Sequence, residues 1–543
     1  MTLKKWQYWA ILSWVILIYL IMFMGNRETL LSVSDTSFLY NRASSLLQSL
    51  KDFNFGIFGY SNFHNLGYGD AFYYGGLTLV PFLVFVPLGI RAFTTAYFIG
   101  IVAISILGVH TLTKRVKGCD SRLFVLLYLS NICVTASLFY TALLCNNFAI
   151  GLGYFYIAFI IDFFRDKKSF VKASIMFFII FETHTITTVT LFCITVIVFF
   201  MYYDKNRWNE YIKFGCLTVV FCIYRICNIL YHIDTLNLRA NVLEETMKRD
   251  NCFFSSEGIL FGGQMVRFFV RLATGKIIEG YSFIDLTVYT IIVFSIVKNW
   301  NKITKRSKYL LVLSGIGIII SQPVIWGKLN LFIQFPIRYS MYLILGVYYI
   351  GLRWLKNSKV IKSILVVDIV VATASVIIGG KMLPFENTDI KQYMGDYVSA
   401  GEYIKFSYNN NDKDLHKFKE MAVQCIDLKT GHEYNYGFEN EKMIVDVDYT
   451  EGNTRLRVPK LWYKGYICYN KSTGKRYNCE SGLYQFIEID LGNDTGKIVI
   501  KYTHPIWLWC LMFLSYVGVL ITCCFCVTNY YKLRQRNRDS QYK

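Results

Sequence analysis

Long apolar runs recur along the chain and predict helices that cross a membrane. About twelve of them are close to 20 residues long, the length that an α-helix needs to cross a hydrocarbon core of roughly 30 Å. The predicted spans lie near residues 7–24, 91–113, 123–141, 149–164, 170–184, 187–203, 214–231, 283–299, 309–326, 340–355, 360–380 and 505–527. The pattern predicts an all-α polytopic membrane protein with about twelve transmembrane helices.

Residues 170–203 form an apolar stretch that is too long for a single crossing. As one helix it would be about 51 Å long, far longer than the hydrocarbon core. Polar residues interrupt it midway, from Glu182 to Thr185. We therefore expect a helical hairpin with His184 at its outer tip.

Residues 76–89 form an apolar stretch that is too short to cross comfortably. It contains Pro81 and Pro87, and an additional crossing here would invert the orientation of every later loop. We expect a re-entrant or interfacial segment.

A polar region before the last span alternates apolar and polar residues with the period of two that is typical of β-strands. The alternating stretches are 443–449, 454–469, 483–491 and 497–502, with turn-forming glycines at 431, 452, 474 and 496. We expect an external β-sandwich. The predicted organisation is a membrane domain over 1–381 with a first external loop at 26–90, a β-rich domain over 382–504, a final span at 505–527 and a basic tail at 528–543.

The basic residues explain the net charge of +20 without a nucleic-acid partner. Lys and Arg cluster at alternate connections between the apolar runs and in the C-terminal tail. Such a distribution follows the rule that positive loops stay on the cytoplasmic side. It predicts a multi-pass cell-membrane protein with both termini in the cytoplasm.

Fifteen cysteines lie mostly in the apolar runs. Only Cys468 and Cys479 are placed to pair across a short turn, and the sequence leaves that pairing open.

Asp35 follows the first span on the predicted outer side. A carboxylate there can act as a general base towards an acceptor hydroxyl or hold a divalent metal against a phosphate. Arg42 lies two turns further on if this segment is helical, and can bind phosphate. The alternative role of Asp35 is to cap that helix.

Further candidate residues lie in the other outer loops. Tyr68 and Tyr73 lie in a glycine-rich aromatic stretch whose rings could stack on sugars or form an interfacial belt. Glu182 and His184 lie at the predicted hairpin tip, where ionisable groups are costly unless they face a cavity or a partner, so His184 is either functional or a capping residue.

The loop 331–339 adds a second basic candidate on the outer side. Arg338 could hold a lipid-linked phosphate through paired hydrogen bonds, or extend to the interface in a purely structural way. Gln334 lies in the same loop.

Several of these segments, in this order, resemble bacterial membrane proteins named for a 6-pyruvoyl-tetrahydropterin-synthase-related domain. Those proteins are similar to YfhO-type members of the GT-C glycosyltransferase superfamily. The resemblance rests on the following segments: 35–42, Gly67-Tyr68-Gly69 with Phe72-Tyr73, Thr183-His184, 333–338, Gly401-Glu402-Tyr403 and 458–466.

The resemblance implies a GT-C-like transferase in the bacterial cell membrane. Such an enzyme moves a sugar from a polyprenyl-phosphate donor to a cell-envelope glycan or polymer. Asp35 matches the aspartate that serves as base or metal ligand in that superfamily, with Mg or Mn as the metal. This chain has Leu39 where the family often has His, and Asn146-Asn147 in place of a Gly-Glu pair, which leaves metal dependence open.

Two other functions compete with a transferase. A transporter or flippase for a lipid-linked saccharide would predict an internal repeat and charged residues midway along broken helices. A degenerate transferase would act as a scaffold whose external β domain binds glycan or a partner protein. The sequence contains no nucleotide-binding loop of the Gly-x-x-x-x-Gly-Lys-Ser/Thr type, in keeping with a reaction driven by a phosphoester.

Overall fold

The computed structural model of the chain describes residues 5–25, 34–52, 65–67, 69–115, 121–130, 144–235, 412–450 and 452–541, with isolated positions between 301 and 370. Three predicted spans lie outside the described residues, at 283–299, 309–326 and 340–355. Nearly all of the predicted span at 360–380 lies outside them as well. The number of twelve spans and the GT-C class stay predictions.

The membrane part that the structure describes consists mainly of helices. Five of the helices in the described ranges are long and apolar enough to cross a membrane: Ile90–Thr113, Leu144–Phe164, Thr185–Tyr202, Lys205–His232 and Ile506–Asn529. The helices, in chain order, are α1 (Lys5–Gly25), α2 (Ser34–Lys51), α3 (Asp70–Tyr73), α4 (Ile90–Thr113), α5 (Ser121–Ser130), α6 (Leu144–Phe164), α7 (Val171–Phe181), α8 (Thr185–Tyr202), α9 (Trp208–His232), α10 (Asp412–Met421) and α11 (Ile506–Gln541).

Two glycines bring α4 and α6 close together. A Cβ atom added to Gly108 would lie 2.5 Å from the carbonyl oxygen of Gly151, and one added to Gly151 would lie 3.0 Å from Ser105 Oγ. Small residues at a helix contact allow the backbones to approach closely, as is common between membrane helices.

Helices α7 and α8 form the hairpin that the sequence predicts. α7 runs alongside α9 in the same direction, because Ser174 contacts Thr218 and Glu182 contacts Arg225. α8 runs alongside α6, with Tyr156 bonded to Thr195. The phenylalanines that end α6 pack against the start of α9, so α6 and α9 run in opposite directions. The two arms of the hairpin are therefore antiparallel.

The tip of this hairpin is buried inside the protein. Glu182, Thr183 and His184 are at most 3% exposed. Glu182 lies opposite Arg225, two turns before α9 ends, which is about 10 Å along the helix. Residues 69–76 cover the tip, so contacts with this segment exclude solvent from Glu182, Thr183 and His184.

The proline-containing apolar segment forms a short 3-10 helix over Val80–Leu88. Nine residues at about 2.0 Å each give a length of about 18 Å, which is too short to cross a membrane. Phe82 packs edge-on against Tyr97 of α4.

The basic connections between the helices meet at one end of the described bundle. Asp162 at the end of α6 accepts hydrogen bonds from Arg115 and Lys168, each at 3.0 Å. Arg207, just before α9, donates to the carbonyl oxygen of Phe163 at 3.0 Å. The hairpin tip and the β-rich unit lie towards the opposite end, where α9 finishes.

The β-rich unit (residues 412–450 and 452–504) is a two-sheet sandwich, which confirms the predicted β-sandwich-like region. One sheet has the order β1-β4-β8-β7 and the other β2-β3-β9-β5-β6, with antiparallel neighbours. The strands are β1 (Ile426–Asp427), β2 (Asn435–Glu439), β3 (Lys442–Val447), β4 (Thr454–Leu461), β5 (Tyr466–Asn470), β6 (Arg476–Tyr477), β7 (Cys479–Ser481), β8 (Phe486–Gly492) and β9 (Gly496–Tyr502).

Local chemistry explains why this unit folds as predicted. Alternate residues of β3, Met443, Val445 and Val447, point into the core between the sheets and are fully buried. The four predicted turn glycines all have positive φ, which only glycine adopts at little cost. A disulfide joins Cys468 of β5 to Cys479 of β7, so it links the two sheets and resolves the pairing that the sequence left open.

Candidate functional site

Five consecutive backbone carbonyls, from Ala71 to Gly75, accept hydrogen bonds from side chains that are buried or half-buried. They belong to the end of the short helix α3 and the turn after it, where carbonyls lack partners within the helix. The donors are Arg225 Nη1 to Ala71 O at 2.7 Å and Phe72 O at 3.3 Å, Thr185 Oγ1 to Tyr73 O at 2.7 Å, and Arg42 Nη2 to Tyr74 O at 3.2 Å and Gly75 O at 3.0 Å. Residues 71–75 are therefore held by three different helices.

Glu182 and Arg225 form a buried ion pair beneath this segment. Arg225 donates from Nη2 to Oε2 at 2.7 Å and from Nε to Oε1 at 3.0 Å. Tyr516 of α11 donates its hydroxyl to Oε2 at 2.7 Å. Two-point contact and a third hydrogen bond offset much of the cost of burying the two charges.

Gly75 fits against this pair because it has no side chain. A Cβ atom at this position would lie 1.9 Å from Oε2 of Glu182 and 2.7 Å from Nη2 of Arg225. The backbone can therefore approach the ion pair only with glycine here.

Arg42 projects from α2 towards the same segment. Its guanidinium carbon lies 5.4 Å from the centre of the Tyr74 ring and 5.8 Å from that of Phe38, distances typical of cation–π contacts. The side chain is buried, and Nη2 is already bonded to the two carbonyls described above. Arg42 therefore contributes both positive charge and the shape of the 71–75 segment.

His184 caps α8 and stacks on Tyr74. Its Nδ1 accepts a hydrogen bond from the backbone N–H of Thr187 at 3.2 Å, and the Thr187 hydroxyl lies 2.8 Å from Nδ1 and 3.2 Å from Asn146 Oδ1. The His184 and Tyr74 rings are 5.4 Å apart and nearly parallel. Because Nδ1 accepts, the neutral imidazole carries its proton on Nε2.

A second buried cluster joins the end of α9 to the β-rich unit. Tyr502 Oη lies 2.8 Å from His232 Nε2 and 3.3 Å from His504 Nδ1. Phe72 stacks on His232 with ring centres 3.7 Å apart. Burial raises the pKa of Tyr502 well above its ordinary value of 10.0, so Tyr502 stays neutral and has one proton to share between the two histidines.

The structure brings some of the sequence-predicted site residues together. Arg42, Tyr73, Glu182 and His184 all contact residues 71–75 or one another. Asp35 lies in the first turn of α2, and its side chain is outside the described residues. Tyr68, Gln334 and Arg338 also lie outside the described residues, so their roles stay predictions.

Metal dependence stays a prediction, because the side chain of Asp35, the metal ligand that the resemblance implies, lies outside the described residues. Within the described ranges, no three His, Cys, Asp or Glu side chains lie close enough to hold an ion. Leu39, which replaces the histidine of the resembled family, is packed in the core.

Arg225 is the most important residue that the sequence interpretation missed. It lies inside the apolar run 214–231, and a charge inside a membrane span is itself a sign of a partner or a functional site. Thr185 and Tyr516 carried no comparable signal, because neither residue is rare in membrane helices.

No protein-family model, curated protein or solved structure matches this chain.

Proposed function

We propose that this protein is a membrane glycosyltransferase that moves a sugar from a polyprenyl-phosphate donor to a cell-envelope acceptor outside the cytoplasm. The observation that carries the proposal is the connection, through Tyr74, of two candidate residues that lie far apart in the chain, Arg42 and His184. Arg42 lies against Tyr74, and Tyr74 stacks on His184. Position 35 lies seven residues before Arg42 in α2, and residues at that spacing share one face of a helix.

The arrangement suits transfer with inversion at the anomeric carbon. The acceptor hydroxyl loses its proton to the carboxylate of Asp35 while its oxygen bonds to the anomeric carbon of the donor. The bond from that carbon to the phosphate oxygen breaks, and polyprenyl phosphate leaves with the bonding electrons. Arg42 and Arg338 counter the negative charge of the leaving phosphate, and His184 donates from Nε2 to orient the donor or acceptor.

The charge distribution supports an external active site. The basic connections gather at the end of the bundle opposite the hairpin tip, and basic connections favour the cytoplasmic side. The disulfide in the β-rich unit is a type of bond that persists mainly in oxidising compartments. With this orientation, both termini are cytoplasmic, and the β-rich unit and residues 71–75 face the compartment in which envelope glycans are assembled.

A degenerate transferase is the second candidate, and one observation favours it. Glu182 and Arg42 already form hydrogen bonds within the protein. Each of these side chains therefore has a structural role besides any contact with a ligand. In that case the β-rich unit would bind glycan without turnover. A flippase for lipid-linked saccharide would move the donor without breaking its phosphate bond.

The test is Asp35→Asn in the full chain, with Asp52→Asn as the matched control just after the other end of α2. Asp52 accepts a hydrogen bond from Gln48 at 3.0 Å, and it follows Arg42 by ten residues, about 15 Å along the helix axis. Membrane vesicles containing each variant receive radiolabelled polyprenyl-phosphate hexoses, and label in envelope polymer is measured. We expect Asp35→Asn to lower incorporation by about 10²- to 10⁴-fold and Asp52→Asn to leave it unchanged.

Other outcomes separate the alternatives. Unchanged incorporation by Asp35→Asn, at normal protein levels, would exclude Asp35 as the base. Donor that crosses the bilayer with its phosphate bond intact would identify a flippase. Glycan retention by the wild-type protein without any release of polyprenyl phosphate would identify a scaffold.

A further inference from the structure

The first external loop is attached to the β-rich unit as well as to the membrane helices. Three hydrogen bonds connect the described residues of segment 65–75 to the end of β4 and the turn that follows it. They are Lys460 Nζ to Asn65 O at 2.7 Å, Leu461 N to Leu66 O at 2.8 Å, and Gly69 N to Tyr463 Oη at 2.9 Å. The partners are separated by almost 400 positions in the chain, so only tertiary folding brings them together.

Lys460 is fully buried, which is rare for a lysine. Burial lowers its pKa well below the ordinary 10.5, and the carboxylate of Glu441 offsets part of that shift. Glu441 in turn contacts the hydroxyl of Ser49 on α2. The β-rich unit is thus bonded both to segment 65–75 and to the helix that carries Asp35 and Arg42.

Tyr463 contacts the segment so closely that position 69 must be glycine. A Cβ atom on Gly69 would lie 2.7 Å from the Tyr463 ring. The same ring packs edge-on against Phe72, with centres 5.2 Å apart, and Phe72 stacks on His232. Tyr463 therefore fixes the start of α3, whose end leads directly into the carbonyls held by Arg225, Thr185 and Arg42.

We propose that Tyr463 and Lys460 are positioning residues of the candidate site, through which the β-rich unit sets the conformation of residues 65–75. Because Tyr74 belongs to this segment and stacks on His184, the conformation of the segment also sets the position of the His184 ring. The β-rich unit is in this proposal a part of the site and not a module tethered beside it. The effect on catalysis rests on the proposed transferase function, whereas the effect on segment 65–75 does not.

Hydrogen exchange of the full chain in detergent tests the structural part. Tyr463→Phe removes only the hydroxyl that Gly69 bonds, and Tyr469→Phe on the open face of the five-stranded sheet is the matched control. We expect amides in residues 69–75 to exchange about five- to tenfold faster in Tyr463→Phe, since one hydrogen bond is lost. Amides of β8 and β9 should be unchanged, and the control should equal the wild type.

Lys460→Met is the second variant, because it removes the bond to Asn65 O while the apolar stem stays. It should accelerate exchange at residues 65–67. Unchanged exchange of segment 65–75 in both Tyr463→Phe and Lys460→Met would overturn the proposal. The result stands even if wild-type vesicles transfer no sugar, which would reject the transferase function alone.

Kinetics test the positioning role in an active preparation. A residue that orients the site without contacting the donor should lower kcat while KM for the donor hardly changes. We expect Tyr463→Phe to lower kcat about tenfold and Tyr469→Phe to have no effect. Equal kcat in wild type and Tyr463→Phe, despite faster exchange, would also reject Tyr463 as a positioning residue.

Discussion

Nη2 of Arg225 lies 2.7 Å from Oε2 of Glu182, and both side chains are almost completely shielded from solvent, at 2% and 0% exposure. The pair connects the tip of the α7–α8 hairpin to α9, and Arg225 also holds the carbonyls of Ala71 and Phe72. This single contact therefore joins three parts of the protein. Together with Thr185 and Arg42, it helps to fix the shape of residues 71–75.

Removing one partner of this pair should be far more harmful than removing both. Arg225→Met leaves the Glu182 carboxylate buried without its counter-charge, which we expect to cost about 3–5 kcal/mol of unfolding free energy. Adding Glu182→Gln should recover part of that loss. Unfolding in detergent measures both variants, and Lys167→Met, at the exposed pair with Asp204, should cause no measurable loss. Additive effects of the two substitutions would contradict a coupled pair.

Gly75→Ala should disturb the site through a steric clash alone. The added methyl group would overlap Oε2 of Glu182, so the backbone or the ion pair must move, at a cost of about 1–3 kcal/mol. Gly215→Ala in α9 is the matched control, because a Cβ atom there meets nothing within 4 Å. The control should gain about 1 kcal/mol, since alanine favours a helix. Equal thermal stability of the two variants would show that residues 71–75 do not pack as described.

His184 can be tested for its capping and functional roles separately. His184→Ala removes the acceptor for the Thr187 N–H and should cost about 1 kcal/mol, whereas His184→Asn offers an oxygen in its place and should restore most of that stability. If Nε2 contacts substrate, both variants lose sugar transfer. Full activity of a stable His184→Asn protein would show that His184 is only a cap.

Lys460 predicts an unusual dependence of stability on pH. Because its pKa is lowered in the folded protein, the unfolded chain binds more protons at pH values between that lowered pKa and 10.5. The free energy of unfolding therefore rises with pH across this window. The free energy of unfolding of wild type and Lys460→Met, measured at a series of pH values up to 10.5, isolates the contribution of Lys460 to this dependence. The control is Lys501→Met on the open face of the sheet, which should show the same dependence on pH as the wild type. Identical slopes for wild type and Lys460→Met would refute the burial of this charge.

Much of the local structure followed from residue patterns. The apolar runs predicted the membrane-spanning character of α4, α6, α8, α9 and α11, because a helix in lipid must be apolar over its whole length. The alternating residues and turn glycines predicted the β-rich unit, and the polar residues at 182–185 predicted the break between α7 and α8. Each of these signals depends on neighbours in the chain.

The contacts that build the candidate site could not be predicted in the same way. The sequence marks Arg42, Glu182 and His184 as candidates, yet it does not indicate that Arg225 neutralises Glu182. That partner lies 43 positions away, and a charge can be paired by any residue that folding brings near it. The burial of the hairpin tip has the same cause, since residues 69–76 close over it only in the folded protein.

The sequence by itself thus determined which segments are helices, strands and turns. The reason is that the hydrophobic period, the conformation of a glycine and the length of an apolar run depend on residues that are close together in the chain. Tertiary structure alone decided that Tyr463 and Lys460 bond to Gly69 and Asn65. It also decided that Arg225 donates hydrogen bonds to the carbonyls of residues 71 and 72. The physical reason is that hydrogen bonds and ion pairs form between atoms that meet in space, and the order of residues does not specify which distant atoms will meet.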